Sequence, residues 1–144
     1  MFKDERQMED YFYLHRDELI ELLKEVFEGL TNIEYIGCQV PIKRRKDVID
    51  MLFKINNVLG YQYIIVELKN KTAPLKTISQ IARYMKDYKE TLENREQPLM
   101  CCWNNQTYGV IIAPNLCKDL KEYLKYSPDG RVKGISLLEN RIYG

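Results

Sequence analysis

The run Tyr108-Gly-Val-Ile-Ile-Ala113, stopped by Pro114, constrains the fold more than any other stretch. It is continuously apolar and reads as a strand buried on both faces. Such a strand needs a sheet with helices packed on it. The rest of the pattern supplies them. Residues 16–29 carry Leu19, Leu22, Leu23, Val26 and Phe27 at helical spacing, ended by Gly29. Strands are predicted over Ile33–Val40, Val48–Ile55 and Tyr61–Leu68, the last two joined by the turn residues 56–60. Thr72-Ala-Pro74 opens a helix to about Asn94, with Pro74 suited to its first turn. Asn115–Leu124 reads as a further helix and Arg131–Leu138 as a final strand. Residues 95–107 suit a strand, a helix end or a packed loop. The expected architecture is α/β, in the order α-β-β-β-α-β-α-β, with a mixed central sheet flanked by helices in a single domain over residues 1–144.

Composition narrows the setting. A chain of 144 residues, 45% hydrophobic and 30% charged, suits one globular core, and no run approaches the about 18 apolar residues of a membrane span. The N-terminus mixes charges of both signs where a signal peptide is apolar. Cys38, Cys101, Cys102 and Cys117 show no Cys-x-x-Cys spacing, which fits reduced thiols in an intracellular, cytoplasmic protein. His15 is the only histidine, and it accompanies no Gly-x-Ser-x-Gly, Walker loop or Gly-x-Gly-x-x-Gly.

Chemistry concentrates between residues 47 and 84. Glu67 and Lys69 are two apart at the end of an apolar strand, so they project from one face. A lone Glu-x-Lys is usually a surface ion pair, but the hairpin brings an aspartate toward this one. With residues 56–60 as the turn, Asp50 falls opposite Val66 and Asp47 near Lys69. One more loop residue, or a bulge, moves Asp50 opposite Glu67. Opposed Cα atoms lie about 4.5–5.5 Å apart, so two carboxylates there can share one ion. Asp50 and Glu67 are therefore the candidate ligands for Mg²⁺ or Mn²⁺, with Asp47 as competitor and Lys69 beside an attacking water or phosphate oxygen. On the following helix Gln80 and Tyr84 share a face beside Arg83. Gln80 would bond the water or phosphate, Arg83 would grip phosphate and Tyr84 would buttress them. Lys43-Arg44-Arg45-Lys46 is the only run of four like charges; alone it reads as a solvated loop, but beside the candidate ligands it becomes a candidate phosphate-backbone contact. The helix over 16–29 carries an opposite, acidic stripe of Glu18, Glu21, Glu25 and Glu28.

Five motifs then follow in order: Tyr35-Ile-Gly-Cys-Gln39-Val, Val48-Ile-Asp50-Met-Leu, Ile65-Val-Glu67-Leu-Lys69, Gln80-Ile-Ala-Arg83-Tyr84 and Tyr108-Gly-Val-Ile-Ile-Ala-Pro114. Together they resemble the NucS-type endonucleases of the PD-(D/E)XK, or restriction-endonuclease-like, superfamily, over roughly residues 16–140. The resemblance implies a metal-dependent DNA endonuclease in which Asp50, Glu67 and Lys69 are the metal-binding and catalytic set. It places Gln80 and Tyr84 on the active-site helix and matches Gln39 to a glutamine preceding the metal aspartate. It also makes Glu18 or Glu21 the counterpart of a first-helix glutamate that approaches the metal. The family's usual Gly-Arg-x-Asp is replaced by Asp47-Val-Ile-Asp50, which leaves both aspartates open as the ligand. A core of this size also resembles Holliday-junction resolvases, which implies a homodimer. The rival readings are a catalytically silent module of the same fold that binds DNA or protein, and a nuclease acting on RNA.

Overall fold

The computed structural model describes residues 1–42, 47–57, 60–95, 106–127 and 130–144. Six strands form one sheet whose spatial order follows the chain: β1 (Ile33–Pro41), β2 (Val48–Asn57), β3 (Gly60–Leu68), β4 (Gln106–Ala113), β5 (Val132–Ser136) and β6 (Arg141–Tyr143). Neighbours β1–β2, β2–β3 and β5–β6 are antiparallel, while β3–β4 and β4–β5 are parallel. The parallel pairs require crossovers, and these are the helices α3 (Thr77–Arg95) and α4 (Lys118–Tyr126). Two further helices, α1 (Glu5–Leu14) and α2 (Arg16–Val26), precede the sheet.

The expected mixed sheet between helices is therefore the observed one. Ile111 and Ala113 of β4 pack under Ile81, Tyr84 and Met85 of α3 and Leu120 and Leu124 of α4. Val110 and Ile112 face the other way, toward Met8 and Phe12 of α1 and Leu19 and Leu23 of α2. In β3, Tyr63 and Ile65 face α3 and α4, whereas Ile64, Val66 and Leu68 face α1 and α2.

Several boundaries differ from expectation, each for a physical reason. The unexpected helix α1 begins with a reciprocal cap, in which Asp4 accepts the Gln7 N–H at 2.8 Å and the Gln7 side chain accepts the Lys3 N–H at 2.6 Å. Met8 and Phe12, four apart, bury its apolar face. Helix α2 stops at Val26, before Gly29. Helix α3 begins at Thr77 because Ala73 is committed elsewhere: its N–H donates to Asn115 and its carbonyl accepts from Cys117. Pro74 thus lies before the helix, where its carbonyl receives the Thr77 N–H at 3.1 Å. Helix α4 starts at Lys118 rather than Asn115, capped by the Cys117 thiol, which accepts the Leu120 N–H. The final predicted strand is shorter, Val132–Ser136, and is followed by β6. Residues 96–105, most of the segment left open by sequence, lie outside the described residues. No helix among the described residues is long and apolar enough to cross a membrane, and Cys38 and Cys117 are free thiols.

Gly134 lets α4 rest directly on β5. A β-carbon there would fall 2.6 Å from Leu124 Cδ1 and 2.7 Å from Leu116 Cδ1. Gly134→Val should lower the unfolding free energy by about 2 kcal/mol. A urea titration that finds an unchanged midpoint would contradict this packing.

Candidate active site

The β2–β3 hairpin sets the geometry. Its pairs run from Asn57–Gly60 to Met51–Val66, with Ile55 against Gln62 rather than Tyr61, a register shifted by one residue from that of a turn over residues 56–60. Extending that register by one residue sets Asp50 against Glu67, which is the second of the two registers the sequence left open. At that point the ladder is replaced by a side chain: the Asp50 carboxylate accepts the Leu68 N–H at 2.8 Å. The β1 side changes at the same level. Cys38 pairs with Met51 and Val40 with Ile49, yet each pair member's two-residue neighbour packs on the opposite face of the sheet. Residues two apart in a regular strand share a face, so the alternation is reset at Gln39 and Asp50. Gln39 carries this irregularity in a left-handed conformation, φ 51°, which costs a side-chain-bearing residue about 1–2 kcal/mol.

Glu67 is buried, at 4% exposure, on the face covered by α3 and α4. Its Oε1 lies 3.4 Å from Lys69 Nζ. Its Oε2 is buried and has no hydrogen-bond partner among the described residues. Burial pushes the Glu67 carboxyl up to about 8, the charge of Asp50 adds to this, and Lys69 opposes it. Burial likewise raises Asp50, to about 6, while the Leu68 N–H pulls it back. Two like charges thus meet where water is scarce, with one ammonium to offset them.

The remaining predicted residues divide. Gln80 Nε2 donates to the Tyr84 hydroxyl at 3.0 Å, and Tyr84 is buried in the α3-side core. Arg83 lies over the Tyr84 ring, 5.7 Å from its centroid, and its guanidinium is 3.7 Å from Asp47. Asp47 is half exposed and held by that arginine, whereas the charge of Asp50 acts on Glu67. Gln39 reaches α1, donating to Glu9 at 2.8 Å. Lys43, Arg44, Arg45 and Lys46 lie outside the described residues.

The helical glutamates whose charges act on Asp50 are not the expected pair. Glu18 and Glu21 are exposed on α2, with Glu21 paired to Lys24 at 3.2 Å. The acidic residues that raise the Asp50 carboxyl from a helix are Glu5 and Glu9 of α1. With Arg6, Asp10, Gln39, Asp50 and Leu68 they line a cavity of about 470 Å³. The reason is the extra helix, which comes first in the chain and packs against the end of β3. Its sequence signal was Asp4-x-x-Gln7 ahead of Met8 and Phe12.

Among the described residues no three His, Cys, Asp or Glu side chains cluster as a metal site. Mg²⁺ does not need three, since it is commonly held by one or two carboxylates with water and substrate phosphate. The buried, unpartnered Glu67 Oε2 beside Asp50 fits such an ion, because a cation there supplies the missing counter-charge.

No protein-family model matches the chain, and no curated protein does. Among solved structures it is similar to a repair endonuclease from Pyrococcus abyssi, with 23% identity and a TM-score of 0.50 over 83% of this chain and 45% of that one. It is also similar to a complex of EndoMS with dsDNA, with 20% identity, a TM-score of 0.48 and coverage of 76% and 38%. The chain thus spans less than half the length of these proteins. It shares the fold of the Pyrococcus repair endonuclease, the nuclease-like α/β fold that the ordered motifs implied.

The raised carboxyls carry a stability signature. Between the ordinary glutamic value of 4.5 and about 8, the folded state keeps a proton that the unfolded chain has lost. Stability of the metal-free protein therefore falls as pH rises through that window. Glu67→Gln removes the penalty, so the metal-free variant should melt about 5 °C above wild type at pH 8.5 and converge with it by pH 5. Parallel melting curves at both pH values would contradict the burial of this charge.

Proposed function

We propose that the protein is a Mg²⁺- or Mn²⁺-dependent endonuclease that hydrolyses DNA phosphodiester bonds at Asp50, Glu67 and Lys69. One observation carries the reading: Glu67 is buried with one oxygen left without a donor and Lys69 against the other, while Asp50, tied to the Leu68 N–H, acts on it by its charge. A surface ion pair has no reason to bury its glutamate. The shared fold with a repair endonuclease supports the same assignment.

Asp50 and Glu67 would hold the cation, which when bound lowers the pKa of water and offsets charge at phosphorus. The chain's own groups do the rest. The Leu68 N–H fixes one Asp50 oxygen, and the other would face the cation. Lys69 spends one of its three N–H donors on Glu67, and the others would orient the attacking water or a phosphate oxygen. The Gln80–Tyr84 hydrogen bond holds the Gln80 amide, whose carbonyl would align the water. Arg83 would neutralise phosphate, and the run Lys43–Lys46 would follow the DNA backbone. Protons compete with the cation for Asp50 and Glu67, so cleavage should need more metal as pH falls.

The test is incubation with plasmid, branched and single-stranded DNA and with RNA, in Mg²⁺, Mn²⁺ or EDTA. Wild type should cut DNA only with metal. Asp50→Ala, Glu67→Ala and Lys69→Ala should each slow cleavage at least about 100-fold, whereas Asp47→Ala should stay within a few-fold. Undiminished cutting by Glu67→Ala and Lys69→Ala would refute the mechanism, and loss with Asp47→Ala alone would move the metal ligand. DNA binding without cleavage would favour a silent module, and cutting of RNA alone would change the substrate class.

A further inference from the structure

Charge is divided between the two sides of the sheet. Residues 1–28, which include α1 and α2, hold nine acidic side chains against Lys3, Arg6, Arg16 and Lys24. Residues 69–86 hold Lys69, Lys71, Lys76, Arg83 and Lys86 and not one Asp or Glu. That segment leaves the candidate active site at Lys69, runs along the sheet end and becomes the first half of α3, on the opposite face from α1 and α2. A net charge of only +1 conceals this separation.

The first part of the basic segment is a fixed ledge. Lys69 donates its backbone N–H to Ile112 at 2.9 Å, and Ala73 is bridged to the 115–117 segment by bonds of 2.9 and 3.0 Å. The bridge is parallel, so Lys118, the first residue of α4, follows Leu116 in the direction in which Lys76 and the start of α3 at Thr77 follow Ala73. Lys71, Lys76 and Lys118 are exposed and make no ion pair or side-chain hydrogen bond with any described residue. Asp119 is the acidic neighbour in the first turn of α4. Contrast these lysines with Lys24, Lys121 and Arg83, each of which has a carboxylate partner.

We propose that Lys71, Lys76 and Lys118 form the phosphate track for the DNA strand that enters the active site. The inference rests on the nuclease reading and adds a direction to it. The backbone runs over the α3–α4 side of the sheet end, and the acidic α1–α2 side repels it. Unpaired ammonium groups on a rigid ledge suit this task, because they bind a regular row of phosphates without reading sequence. From Lys71 to Lys76 the chain reaches at most about 17 Å, the rise of about five base pairs.

The experiment is anisotropy of a labelled DNA duplex across 50–200 mM KCl, without divalent metal so that nothing is cut. It compares wild type, the triple variant K71A/K76A/K118A and a charge-matched control, K3A/K24A/K125A. Each phosphate contact contributes about 0.9 to the slope of log affinity against log salt. The track variant should therefore lose about 2–3 of that slope, so wild type gains about 40-fold more affinity than the variant between 200 and 50 mM salt. The control should keep the wild-type slope, and all three proteins should melt together. An unchanged slope in the track variant, or an equal loss in the control, overturns the track while leaving metal-dependent cleavage untouched. Wild type that neither binds nor cuts DNA overturns the nuclease reading as well.

Discussion

A single hydrogen bond, from the Leu68 N–H to the Asp50 carboxylate, decides what the end of this sheet can do. Up to Met51–Val66 the strands are an ordinary antiparallel pair. One residue further, where the register sets Asp50 against Glu67, a side chain accepts a backbone donor in place of the ladder. Everything proposed about the site depends on that placement. Both carboxyls are largely buried there, which is why both hold their protons more tightly than usual. The neighbouring Gln39, in a left-handed conformation, resets the pleat on the other side of the same aspartate.

This arrangement weakens the fold. Glu67 is buried with one oxygen unsatisfied, and Lys69 offsets only part of the charge. Burying a carboxylate pair without a full set of partners is unfavourable, and a core built for stability alone would carry apolar residues there. The cost makes sense where a cation and a phosphate complete the set. The rest of the molecule is conventional by comparison, with β4 buried on both faces and α4 seated on Gly134.

Much of this was legible in the sequence, and the failures have definite causes. The doubly buried strand 108–113, the hairpin and the Glu67-x-Lys69 pair are local patterns, and each appears in the structure where the residues put it. Register was not legible, because turn residues spread over 56–60 allow two pairings that differ by one residue. At the start of α3, Pro74 signals a first helical turn locally, while the Ala73–Leu116 bridge, a contact across 43 positions, overrides it. Helix α1 was missed although Asp4 and Gln7 cap it, since a short N-terminal stretch with two buried apolar residues gives a weak period. Glu5 and Glu9, whose charges raise Asp50, lie on this helix, whereas the resemblance points to Glu18 and Glu21 of the next one.

The central claim is that Asp50 and Glu67 together hold a divalent cation, and calorimetric titration of Mn²⁺ into the metal-free protein tests it without reference to cleavage. Binding should release protons, and release more of them at pH 6 than at pH 8, because the raised carboxyls must ionise to accept the ion. Asp50→Asn and Glu67→Gln should each abolish the binding, while Asp47→Asn should retain it. Mn²⁺ binding that survives both of the first two substitutions would contradict the account.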